Sequence, residues 1–185
     1  MADLLREALD HVEGIVRNVP EAGAHADTPC PDWDVEALVN HMVAGNRYFA
    51  AAARGETPDR AMFADDHIGT DPTGAYERSA GEASSAWARP GVLDETLGSG
   101  LPGRVLWGIH LVEILGHGWD LAHAAGLPRD VPIHLVDAAM EVAGRMPAEQ
   151  VRNPGVFGAE VEPGPDARPW DRLAAFLGRD PAVRP

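Results

Sequence analysis

Residues 101–126 read LPGRVLWGIHLVEILGHGWDLAHAAG, and at 100° per residue they place Leu106, His110, Glu113, His117, Asp120 and Ala124 on one narrow face. Val105, Trp107, Ile109, Leu111, Val112, Ile114, Leu115, Trp119 and Leu121 cover most of the remaining circumference. A helix apolar nearly all round is a buried helix. Pro102 suits its first turn, where a missing N–H costs nothing, and Gly126 suits the left-handed turn past its end. The polar stripe therefore faces the interior, where an unpaired charge costs roughly several kcal/mol or is neutralised by a pKa shift. Glu113 needs a compensating partner, and a metal ion is one.

The other elements follow from the same periodicity. Leu5, Ala8, Val12, Ile15 and Val19 recur at helical spacing until Pro20, and residues 21–32, with Gly23, Pro29 and Pro31, read as a loop. Asp34 is a good N-cap for a second helix over 35–54, which turns Val35, Leu38, His41, Met42, Gly45 and Phe49 inward. Residues 55–73 form a polar connection long enough to suggest a functional lid. Asp71 and Pro72 then start a third helix running to Arg89, with a small face of Ala75, Ser79, Ala83 and Ala86. Beyond the central helix come a helix over 133–145, a short strand over 157–162 and a last helix over 170–177. The prediction is an all-α domain of about four long helices with a small irregular C-terminal tail. We expect one domain over 1–185, with a bundle core at 1–150 and an extension at 151–185.

Charge narrows the function classes. A formal net charge of −14 without clustered cations argues against nucleic acid and against anionic membrane surfaces. No apolar run is long enough to span a bilayer and the start is acidic and helical, so a cytoplasmic protein is expected. The single cysteine, Cys30, lies between Pro29 and Pro31 and reads as a small packing residue rather than a nucleophile or metal ligand.

Glu113 and His117, four residues apart on one helix, can meet a single ion. His41 on the second helix is the natural third ligand of an open zinc site, with Asp120 or His110 orienting a ligand from behind or moving a proton. From spacing alone a hydrogen-bonded Glu–His pair in the core accounts for the stripe equally well.

The segments CPDWDVEALVNHMVAGNRYF, EILGHGWDLAHAAG and DRLAAFLGRDP, in that order, resemble the metal-binding DinB-like family that includes the N-terminal domain of mycothiol-dependent maleylpyruvate isomerase. The last segment points to a single-domain, actinobacterial-type subfamily. The resemblance implies a four-helix bundle holding a divalent metal, usually zinc, with nickel, iron and manganese as alternatives, on His41, Glu113 and His117. It also implies activation of a low-molecular-weight thiol such as mycothiol for addition to an electrophile, the reaction of a thiol S-transferase or thiol-dependent isomerase. Isomerisation of maleylpyruvate itself is not expected, because the second domain of that enzyme has no counterpart here.

Two other readings stay open: a hydrolase using metal-activated water, with Asp120 or His110 as proton acceptor, and a bundle that binds a metal or small ligand without turnover. Arg47, Arg104, Trp33 and His67 are the candidates for binding an anionic substrate, and pairing of apolar bundle surfaces into a homodimer is a further expectation.

Overall fold

A computed structural model of the chain describes residues 1–146 and 157–183. Six α-helices appear among them: α1 (Ala2–Arg17), α2 (Val35–Ala53), α3 (Pro72–Trp87), α4 (Gly103–Ala124), α5 (Ile133–Arg145) and α6 (Pro169–Phe176). α1 and α2 each pack on both α3 and α4, which gives a four-helix bundle in the order α1–α3–α2–α4 around its axis. α5 and α6 pack on α4 from outside that ring and on each other.

Local chemistry sets the helix ends. The Asp34 carboxylate accepts from Ala37 N at 2.9 Å to cap α2, and Asp71 accepts from Gly74 N at 2.9 Å ahead of Pro72. Pro102 stands one residue before α4 rather than inside its first turn, and Gly126 takes φ +65° past its end. The expected face of α3 is fully packed, since Ala75, Ser79 and Ala83 are each inaccessible. Small side chains there let α3 approach its neighbours closely.

α4 is the axis of the core. Leu111, Leu115, Trp119 and Leu121 are fully buried on it, and so is Asp120 on the polar stripe. Two glycines flank His117 for a packing reason. A Cβ at Gly118 would stand 2.6 Å from Val12 Cγ2 of α1 and 3.3 Å from the Trp170 ring of α6, and one at Gly116 would stand 3.2 Å from Leu177. The C-terminal segment is thereby laid directly against the turn that carries His117. Trp170 Nε1 donates to Leu115 O at 2.9 Å and Trp119 Nε1 donates to Asp171 Oδ1 at 2.8 Å, which locks that docking.

Residues 157–162 do not form the expected strand. They run without a ladder partner, Val161 N donating to Ala175 O of α6 at 2.9 Å, because among the described residues no strand is there for them to join and Pro163 ends the run. Residues 55–73 contain a short 3₁₀ turn, Arg60–Ala64, which periodicity did not reveal. The expected boundary at 150–151 lies outside the described residues.

Candidate metal centre

The polar stripe of α4 meets α2 around His41. Glu113 Oε2 lies 3.3 Å from His117 Nε2 and 3.9 Å from His41 Nε2, and one ligand atom from each of the three lies within 4.8 Å of the others. The helical spacing of Glu113 and His117 puts their side chains one turn apart on α4. His41 reaches them from α2, its ring stacked on Trp33 with centroids 4.2 Å apart and flanked by Phe63 at 5.3 Å.

Behind the triad, a second set of groups fixes its orientation. His117 Nδ1 lies 3.1 Å from Asp120 Oδ2, and Asp120 in turn accepts from Arg179 Nε at 3.1 Å and Nη2 at 2.9 Å. Donation of the Nδ1 proton to Asp120 leaves the Nε2 lone pair directed at the Glu113 side, as a metal-bound imidazole requires. Arg179 comes from the C-terminal segment and is anchored by donating Nη1 to Leu177 O at 2.9 Å.

Electrostatics agree with that wiring. Burial would raise the Asp120 carboxyl, but the Arg179 guanidinium and the hydrogen bond to His117 outweigh it and hold it at about 2. Burial likewise opposes ionisation of Glu113, and the facing imidazoles of His117 and His41 outweigh it, keeping the carboxyl well below its usual range. For His117 burial favours the neutral ring, while Asp120, Cys30 and Glu113 together raise its pKa well above the ordinary histidine value. A proton between His117 Nε2 and Glu113 thus occupies the position that a cation would take. With that proton displaced, the carboxylates of Glu113 and Asp120 outnumber the Arg179 guanidinium by one, and a divalent ion would answer the remaining charge.

The same residues offer a second grouping, Cys30, His117 and Asp120, with ligand atoms equally close. The Arg179 guanidinium already fills it, bonded to both oxygens of Asp120 and 3.7 Å from Cys30 Sγ. A metal there would have to displace a buried, paired cation, so His41, Glu113 and His117 are the group better able to hold an ion. Cys30 is more than a packing residue, however. Its Sγ lies 3.2 Å from Asp120 Oδ2 and 3.9 Å from His117 Nδ1, and it lines the cavity.

That cavity has a volume of about 570 Å³ and opens in front of the triad. Trp33, Phe63, Tyr48, Phe49 and Ile109 supply apolar wall, and Arg60 and Arg179 are its arginines.

The remaining candidates are placed less simply. Trp33 forms cavity wall, as expected. His110 also borders the cavity, but both ring nitrogens are engaged: Trp87 Nε1 donates to Nδ1 at 3.0 Å and Nε2–H donates to Asn46 Oδ1 at 3.0 Å. Burial pushes its pKa down to about 3, so the ring is neutral and has no lone pair free to take a proton. Asp120, with its oxygens committed to Arg179 and His117, is an orienting group.

Arg47 and His67 do not line the cavity. Arg47 donates Nη1 to His67 Nδ1 at 2.8 Å while His67 Nε2 donates to Met62 O at 2.7 Å, so the pair fastens the 55–73 connection to α2. Arg104 is exposed and paired with Asp94 at 2.5 Å on the first turn of α4, outside the cavity. Sequence reasoning missed Arg179 and Arg60. Neither falls on a periodic face, and only the fold brings them to the site.

Residues 5–122 match the family described as mycothiol maleylpyruvate isomerase N-terminal domain. The chain belongs to this family. The match ends two residues past Asp120, so the family segment holds the whole triad but not Arg179. Two curated relatives from Mycobacterium tuberculosis, the uncharacterized proteins MT0763 (strain CDC 1551 / Oshkosh) and Rv0738 (strain ATCC 25618 / H37Rv), are each 33% identical over 184 residues. Each alignment covers 94% of this chain and 94% of the relative. No solved structure matches the chain significantly. Membership brings the metal-binding, DinB-like character of the family to a chain whose helices bring together a set of ligand atoms able to hold an ion. Among the described residues no helix is long and apolar enough to cross a membrane.

Proposed function

We propose that this protein is a zinc-dependent transferase or isomerase that activates a low-molecular-weight thiol, of the mycothiol type, for attack on an electrophile. The observation that carries the reading is the position of the triad: three residues from two helices, close enough to share one ion, line a cavity of about 570 Å³ that has room for a small molecule. His41, Glu113 and His117 would hold the zinc, which would supply Lewis acidity that lets a thiol ionise near neutral pH.

The protein's own residues do the rest. Asp120 fixes the His117 tautomer, and Arg179 compensates the Asp120 charge so that the carboxylate stays ionised when buried. Trp33 and Phe63 cover His41 and exclude water from that side of the site. In the addition of such a thiol to an activated double bond, sulfur bonds to one carbon and the proton released by the thiol ends on the neighbouring carbon, so atoms balance without an oxidant. The hydrolase alternative lacks support, because both of its candidate proton acceptors, His110 and Asp120, are committed to buried hydrogen bonds.

Elemental analysis of untagged protein, wild type beside Glu113→Ala, tests the first half: about one zinc per chain, absent from the variant, is expected. Loss of mycothiol in the presence of monochlorobimane tests the second. A zinc-loaded protein that leaves the rate unchanged with mycothiol and with bacillithiol would favour the non-catalytic bundle.

A further inference from the structure

All fifteen basic side chains of this protein are arginines, set against 29 carboxylates. Of the thirteen arginines in the described residues, ten form an ion pair with Asp or Glu. Arg47 is taken by His67 and Arg172 donates to Ala167 O. Arg60 is the remaining one. It is exposed, it lines the cavity in front of the triad, and it has no ion-pair or hydrogen-bond partner among the described residues. In so acidic a chain an unpaired guanidinium at that place is the group best able to receive an anion from outside.

Its position is built. Arg60 opens the 3₁₀ turn Arg60–Ala64, started by Asp59, whose carboxylate accepts from Ala61 N at 2.9 Å. Phe63 of the same turn packs on the His41 ring and, with centroids 5.6 Å apart, on Tyr48. Asn40 of α2 donates to Asp65 O at 2.9 Å and accepts from His67 N at 2.7 Å, so the segment after the turn is tied at two backbone points. The Arg47–His67–Met62 chain closes the fastening. Besides Glu113, the carboxylate residue among those described as lining the cavity is Asp32, which lies in the loop with Cys30 and Trp33.

We propose that Arg60 is a carboxylate-binding residue at the mouth of the cavity, and that the small molecule taken there is a carboxylic acid whose other end reaches the triad. This rests on the thiol reading only for the identity of that other end. A planar guanidinium donates two parallel hydrogen bonds to a carboxylate, which orients the molecule as well as retaining it.

Calorimetric titration of zinc-loaded full-length protein with three probes tests it: 3-sulfanylpropanoate, the neutral 3-sulfanylpropan-1-ol, and glutarate, which has carboxylates and no sulfur. Wild type is expected to bind the sulfanyl acid about tenfold more tightly than the alcohol. Arg60→Gln should bring the two within about twofold, while Arg104→Gln, on an arginine outside the cavity, should change neither. Equal affinities in wild type, or a preference that survives Arg60→Gln, overturns the proposal and leaves the thiol reading standing. Arg60-dependent binding of glutarate without binding of the alcohol keeps the carboxylate site and removes the thiol. No binding of any probe overturns both.

Discussion

His117 Nδ1 lies 3.1 Å from Asp120 Oδ2, with Asp120 fully buried and clamped by Arg179. This contact decides which nitrogen of His117 is free for an ion. Asp120→Asn keeps the shape but offers an amide that can present N–H to Nδ1 and turn the tautomer around. Loss of such an outer partner typically weakens metal affinity by about 10–100-fold. Competition with a chromophoric chelator measures it, beside His41→Ala and Glu113→Gln, which remove ligands and should abolish tight binding. Unchanged affinity in Asp120→Asn would show that His117 needs no orientation from behind.

Removing Arg179 should act mainly on folding. The side chain is 9% exposed and its partner Asp120 wholly inaccessible, so Arg179→Leu strands a buried carboxylate. Breaking a buried pair from one side costs about 3–5 kcal/mol. The double variant Arg179→Leu/Asp120→Leu restores part of that stability while leaving His117 unoriented, so its metal affinity stays low. Urea unfolding of the metal-free proteins separates the two effects. If the double variant is no more stable than Arg179→Leu, the buried charge is not what the single variant suffers from.

Much of this arrangement was legible in the chain, and the reasons are local. The stripe Glu113, His117, Asp120 could be read because a helix repeats every 3.6 residues and the surrounding positions are apolar; His41 could be placed inward by Leu38 and Met42. Arg179 and Cys30 could not be read that way. They stand 59 and 90 residues from Asp120 along the chain and reach it through a docked tail and a proline-bounded loop, which have no period. Arg47, His67 and Arg104 had the right charge for an anion site but are used locally, two to fasten a loop and one in an exposed ion pair. The strand expected at 157–162 shows the converse: an extended run makes a strand only where a partner strand exists.

The buried chain Trp87–His110–Asn46–Ser79, in which Asn46 Nδ2 donates to Ser79 Oγ at 3.1 Å, predicts an acid-sensitive fold. Burial lowers the His110 pKa to about 3, against 6.5 for the unperturbed side chain. Between those values the unfolded chain binds a proton that the folded one excludes, so this contribution to stability is present above pH 6.5 and is lost as pH falls below it. At pH 5 the loss from this one group is about 2 kcal/mol. Unfolding free energies at pH 7 and pH 5, with chelator present, should fall more steeply for wild type than for His110→Phe, although the variant is less stable at pH 7 because Asn46 Oδ1 and Trp87 Nε1 lose their His110 partner. Equal pH dependence in the two proteins would place the titration elsewhere.

Gly178 links the tail to the candidate metal centre. It adopts φ +89°, a conformation costly for residues with a side chain, and a Cβ built on it would stand 2.6 Å from Gly158 Cα, a backbone atom that cannot swing aside. Arg179 is the next residue, and its geometry toward Asp120 depends on this turn. Gly178→Ala should therefore destabilise the protein by about 1–2 kcal/mol from the left-handed backbone alone, with the crowding against Gly158 in addition. It should also loosen the Arg179–Asp120 contact. Metal affinity should then fall although every ligand is intact, and by less than in Asp120→Asn, because the carboxylate remains. Gly126→Ala is the control: it also has positive φ, 65°, with nothing within 4 Å of the added Cβ, and should lose stability without losing metal affinity. Parallel losses of affinity in both glycine variants would mean that the metal centre follows overall stability rather than the placement of Arg179.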